Sequence, residues 1–100
     1  MEEIKIYLDK EKNKEAEGII EFDGVVAGEI STGRIYVHNI TKYYIDLEIS
    51  LIGENIDITK TIKRLAPKQT KEVEFKFNPK ITTMKPIRAK LKIKLEYTIS

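Results

Sequence analysis

The sequence predicts an all-β domain, and three observations carry the prediction. Apolar and polar residues alternate with a period of two along most of the chain, the pattern of strands with one buried face. The one segment that invites a helix, residues 9–17 (DKEKNKEAE), lacks an apolar stripe with which a helix would pack, so it is read as a loop. Glycine, asparagine, aspartate and proline fall between the alternating segments at short spacing, where the chain must turn.

The elements follow in order. Ile4, Ile6 and Leu8 alternate with Lys5 and Tyr7 in a first strand. Residues 18–22 (GIIEF) form a second, and Asp23-Gly24 reads as a turn, with a further bend or bulge at Gly28. Residues 30–39 (ISTGRIYVHN) form a third, with Ile35 and Val37 on one face and Tyr36 and His38 on the other. Asn39-Ile40-Thr41 ends it. In residues 43–51 Tyr43, Ile45, Leu47, Ile49 and Leu51 share one face, which buries Tyr43 and exposes Tyr44. After a turn at residues 53–55, Ile56, Ile58 and Ile62 suggest a strand interrupted near Lys60, and residues 65–69 (LAPKQ) a connection. Val73, Phe75 and Phe77 alternate with Glu72, Glu74 and Lys76; residues 78–86, with two prolines, read as a loop. In residues 87–99 seven apolar positions from Ile87 to Ile99 fall on one face. At ~3.3 Å per residue this last strand would span about 43 Å, long enough to require a bend or a projecting end.

Seven antiparallel strands in one domain of 100 residues match an immunoglobulin-like sandwich, with a barrel as the alternative fold. Without cysteine or tryptophan it is not of the antibody subclass. Zero cysteine also excludes a disulfide scaffold, a thiol nucleophile and cysteine-ligated metal. No apolar run approaches the ~20 residues of a membrane span, and no membrane association is expected. Met1 leads directly into Glu2 and Glu3, unlike a secretory signal, so the chain is expected to be made and kept inside a cell.

The net charge of +2 hides an asymmetry. Residues 1–57 carry 6 basic and 13 acidic side chains, so −7, and residues 58–100 carry 12 and 3, so +9. Either the two halves attract within one fold, or a bipolar surface docks on a partner or a second copy.

Catalytic chemistry finds little to build on. His38 is the sole histidine and needs partners, with Glu29 and Asp46 the carboxylates to consider. No nucleophile elbow surrounds Ser31, Ser50 or Ser100, no glycine-rich phosphate loop precedes a helix, and the four aspartates lack calcium-loop spacing. Glu21 and Asp23 beside Gly24 are at best a weak calcium pair. Asn39-Ile40-Thr41 matches the glycosylation sequon, which has no use in a chain that is not secreted. No enzyme activity, cofactor or metal is expected.

Two surface features stand out instead. Arg88, Lys90, Lys92 and Lys94 form a cationic row with side chains ~6.5–7 Å apart, close to the phosphate spacing of a nucleic-acid strand. The aromatic of that segment, Tyr97, falls on the apolar face, so a stacking platform is missing and nucleic acid is the weaker alternative. Glu72, Glu74 or Glu48 would balance the row across strands. Tyr44, beside Tyr36 on a neighbouring strand, offers a tyrosine anchor for a protein partner.

The segment Ile20–Asn39 (IEFDGVVAGEISTGRIYVHN) has an aromatic-bearing strand at Phe22, a valine at 25 or 26, Gly28, and a strand ending in Asn39. Leu65-Ala66-Pro67 then precedes the strand Val73–Phe77, with Pro79 after it. Together these resemble the immunoglobulin-like sandwiches of the ASH/MSP/hydin type, as in small stand-alone bacteriophage virion proteins. The usual Phe-Gly pair is here Phe22-Asp23-Gly24, one residue longer. The resemblance implies a non-catalytic structural protein of capsid decoration, neck or tail, docking on other structural proteins or ringing with itself; the surface features above make Tyr36, Tyr44, Arg88, Lys90, Lys92 and Lys94 the expected partner-binding residues. A cytoplasmic ASH-type adaptor is the alternative, and a nucleic-acid module on the basic C-terminal strand a further one.

Overall fold

A computed structural model describes residues 3–16, 19–25, 29–53, 56–78 and 87–99, with backbone alone for 19–25 and 87–91. The described residues form eight strands and no helix: β1 (Ile4–Tyr7), β2 (Ile19–Val25), β3 (Ser31–Asn39), β4 (Ile45–Ile52), β5 (Ile56–Lys60), β6 (Arg64–Leu65), β7 (Thr70–Phe77) and β8 (Ile87–Ile99). They make two antiparallel four-stranded sheets, ordered β1-β3-β7-β5 and β2-β8-β4-β6.

Alternation places the core. Ile4, Ile6, Ile35, Val37, Val73 and Phe75 of the first sheet meet Ile45, Leu47, Ile49, Leu65 and Ile93 of the second in one buried cluster. A period of two puts every second side chain on the shared face, so a shift of one residue in any strand would invert it. Ile62 lies between β5 and β6, outside any strand, and is buried in the same cluster.

Three sequence expectations change, and a fourth, the loop at residues 9–17, gains detail. Asp23-Gly24 does not turn the chain: β2 runs through it to Val25, and its register against β8 shifts between Phe22 and Val25. The dipeptide's freedom is spent on a bulge inside a ladder. Leu65 is not connection but half of β6, paired with Ile45 and fully buried. Tyr43 precedes β4 and is 61% exposed, and Tyr44 is exposed as well. Residues 9–16 are a tied turn that flanks β1. The Asp9 carboxylate accepts the Asn13 and Lys14 amides at 2.9 and 2.8 Å. The Lys14 amide is the first reason that the Asp9 pKa lies below its ordinary value. Leu8 N–H donates to Lys14 O and Ala16 N–H to Ile6 O, both at 2.8 Å, so the outer edge of β1 is covered. The expected interruption near Lys60 is present as a register shift between Ile58 and Lys60.

The length of β8 has a structural reason. β4 pairs with Lys92–Ile99 and β2 with Ile87–Lys92, on opposite edges of β8, so the two ladders share only Lys92. The first half of β8 therefore reaches beyond the end of β4 with β2 as its partner. This step draws the molecule out to 49 × 23 × 19 Å and a radius of gyration of 14.6 Å, against ~13 Å for a compact chain of this size.

Candidate functional site

Asn39, the last residue of β3, organises one pole of the molecule. It is fully buried, and its amide Nδ2 donates to the carbonyls of Tyr43, Ala66 and Leu65 at 2.7, 3.0 and 3.4 Å. Its Oδ1 accepts the Thr41 amide at 2.9 Å and the Thr41 hydroxyl at 2.7 Å. One side chain thus fastens the β3–β4 loop to the β6–β7 turn, and no buried side-chain polar atom among the described residues lacks a partner. The Lys68 ammonium donates to Ile40 O across the same junction. The sequon asparagine is consequently consumed by folding, with no amide left for a glycan.

The asparagine clamp sets up an exposed corner. Tyr43 and Tyr44 leave it side by side, 61% and 50% exposed. The Arg64 guanidinium lies 4.9 Å from the Tyr44 ring centroid and its Nε is 3.3 Å from Asp46. A cation over a tyrosine face at an exposed site is worth about 0.5–1 kcal/mol, a modest bias toward this placement of the ring. Ile99, half-exposed, is the register partner of Ile45 beside them.

Tyr36 is not beside Tyr44. It lies on the outer face of the first sheet, half-buried, whereas β4 belongs to the second. Lys92 and Lys94 are exposed on β8, and Lys94 binds Glu96 two residues on at 3.0 Å. The side chains of Arg88 and Lys90 lie outside the described residues, as do those of Glu21 and Asp23. Among the described residues no ion pair joins Lys92 or Lys94 to Glu72, Glu74 or Glu48. Glu72 and Glu74 are in the other sheet and bind Arg34 at 3.0 and 3.4 Å, while Glu48 stands opposite Glu96. Tyr97 is 40% exposed and donates its hydroxyl to Glu3.

The charge asymmetry of the sequence is interleaved in the second sheet. In the second sheet the strands alternate between the two halves of the chain, β2, β8, β4, β6, so acidic and basic segments are neighbours. Asp46–Arg64 is such a contact between halves.

His38 gathers no acid–base partners. Its Nδ1 is 2.7 Å from Thr70 Oγ1, and no group of three His, Asp or Glu among the described residues is placed to hold a metal. Burial pushes its pKa below the ordinary value, and the charges of Lys12 and Lys68 push the same way. Between the folded and unfolded pKa values the unfolded chain then binds more protons, so stability rises with pH across that window. An NMR titration is expected to give a His38 midpoint below the ~6.5 of a free histidine. His38→Gln should remove its share of the stability lost below that pH; a midpoint above that of the denatured chain would contradict it.

No helix among the described residues is long and apolar enough to cross a membrane. Comparison with protein-family models, with curated proteins and with solved structures finds no match for this chain.

Proposed function

We propose that the chain is a non-catalytic structural protein of immunoglobulin-like architecture, similar to the ASH/MSP/hydin type, that docks on other proteins in a bacteriophage particle as a decoration, neck or tail component. The resemblance at Ile20–Asn39 and Leu65–Pro67 supplies the setting. The observation that carries the docking mechanism is the corner of Tyr43, Tyr44 and Arg64. Tyrosine and arginine are the residue types enriched where binding energy concentrates. Here they are exposed and held by the Asn39 clamp, so little freedom is lost when a partner covers them.

Molar mass by light scattering after gel filtration, at low and high salt, tests this reading against its own variant. A closed species of several copies that falls to a monomer in Tyr44→Ala/Arg64→Ala is the expected result. An oligomer indifferent to that double variant overturns the corner as the interface. A monomer at every salt removes self-assembly and leaves only docking on a larger partner.

A further inference from the structure

The outer face of the first sheet carries a second feature, separate from the docking corner and independent of it. In the β1–β3 register Tyr7 stands opposite Tyr36, and Lys5 opposite His38. Side chains so paired have Cβ atoms ~4.5–5.5 Å apart, so the two half-buried rings adjoin. The turn that follows β1, held by Asp9, bears Lys10 and Lys12. Between that turn and the β3–β7 face lies a notch of 420 Å³ lined by Lys10, Lys12, Tyr36, Thr70, Lys71 and Glu72.

The notch is cationic. Its single carboxylate, Glu72, is engaged by Arg34 at 3.0 Å. Among the described residues Lys10, Lys12 and Lys71 have no ion-pair partner. The charge of Lys12 reaches the neighbouring His38, where it adds to burial in disfavouring the charged form.

The geometry points to a nucleotide site: the notch takes a phosphate between Lys10 and Lys12 and stacks the attached base on Tyr36. A cationic groove beside aromatic rings is the arrangement that binds nucleotides irrespective of sequence, each stacked base contributing about 1–3 kcal/mol. An acidic peptide would use the lysines and leave the rings idle. The volume falls within the ~300–1,000 Å³ of small-ligand sites. The same chemistry is offered by a free nucleotide and by a nucleotide within a single strand.

Fluorescence anisotropy of a short labelled oligothymidylate, with the full chain at about 50 and about 200 mM salt, tests the site. Two phosphate-facing lysines predict about a sevenfold loss of affinity over that range. Lys10→Glu/Lys12→Glu lies on an exposed turn, and circular dichroism checks that it keeps its strands; it should weaken binding at least about tenfold. Tyr36→Leu, which keeps apolar bulk without a stacking face, should weaken it about five- to tenfold, a stacking loss near the lower end of the expected range. Lys92→Glu/Lys94→Glu, on the other sheet, should leave it unchanged. Competition by a mononucleotide assigns the site to free nucleotide, and its failure with oligonucleotide bound assigns it to a strand. The site is overturned if no binding is seen, or if the loss follows Lys92 and Lys94. It is also overturned if a polyglutamate peptide competes equally while Tyr36→Leu has no effect.

Discussion

Asn39→Asp is expected to cost about 3–5 kcal/mol, the scale for a buried charge stripped of compensation. The replacement is isosteric, so packing is not at issue. Its cause is polarity reversal. Three carbonyls, of Tyr43, Leu65 and Ala66, surround the position of Nδ2, and a carboxylate would point a second oxygen at all of them. Asn39→Ala should be milder. Tyr43 O retains the Thr41 hydroxyl at 3.3 Å and Ala66 O retains the Gln69 amide at 3.1 Å, while the Thr41 amide loses its acceptor, a loss of about 1–3 kcal/mol.

The two variants separate further with pH. A fully buried carboxyl has its pKa raised by up to about 3–5 units, because burial disfavours the charged form. Between the unfolded value near ~3.9 and the raised folded value the native state holds the extra proton, so stability falls as pH rises. Below the unfolded value the protonated acid is neutral and donates one hydrogen bond. Asn39→Asp should therefore recover much of its deficit, relative to the wild type at the same pH, near pH 4, and Asn39→Ala should not. Urea denaturation at neutral and acidic pH reads both. Equal deficits for the two variants at neutral pH would mean that the carbonyl cluster is not the source of the cost.

The sequence already contains the faces of the strands and hides the contacts between them. Ile45, Leu47 and Ile49 announce their burial by a local period, and the structure buries all three. Tyr43 has the same parity yet points to solvent, because the Asn39 amide holds the Tyr43 carbonyl and the chain joins the ladder only at Ile45. Asp23-Gly24 has the composition of a turn, but pairing with β8 continues past it, and a distant strand decided the outcome. Leu65 looks like the start of a connection because a two-residue strand is too short to show a period; its partner Ile45 lies twenty positions earlier.

The candidate sites divide along the same line. Exposure of Tyr44 follows from alternation, and the sequence could give it. That Arg64 covers its ring could not be read, since Arg64 reaches it only through the β4–β6 pairing. Tyr36 and Tyr44 appear close in a chain read as a meander, but β3 and β4 belong to different sheets and the chain crosses between layers after Asn39. Tyr36 finds an aromatic neighbour in Tyr7 instead, a match that needs the register of β1 on β3. The one local signal was the lysine pair Lys10 and Lys12 within a stretch that Asp9 and Asn13 bend into a turn. The cationic row of β8 was the more visible pattern because it is periodic, though Lys94 is engaged by Glu96 on its own strand.

Phe75→Ala should produce a loss of comparable size by a different route, through the core. Phe75 is 1% exposed, in the strand that joins β3 to β5. Its register partner on β3 is Gly33, and on β5 it is Ile58. Gly33 has no side chain to fill the space opposite, so the ring is the principal filling at that point of the β3–β7 ladder and truncation opens a cavity that neighbours on fixed strands cannot close. Phenylalanine truncations at such sites cost about 3–5 kcal/mol, a large share of the ~5–15 kcal/mol that holds a domain of this kind together. Phe77 provides the comparison within the strand. It is 5% exposed and ends β7, opposite Ser31 and Ile56 at the ends of their strands, so Phe77→Ala should cost less. The denaturation midpoints should fall in the order wild type, Phe77→Ala, Phe75→Ala. The denaturant slope should be unchanged, because the surface exposed on unfolding is nearly the same in all three. The reverse order of the two variants would place the centre of the core nearer the β3 entry than the packing indicates. Unlike Asn39→Asp, Phe75→Ala should show no recovery at acidic pH, since its cost is an apolar volume with no proton to take up.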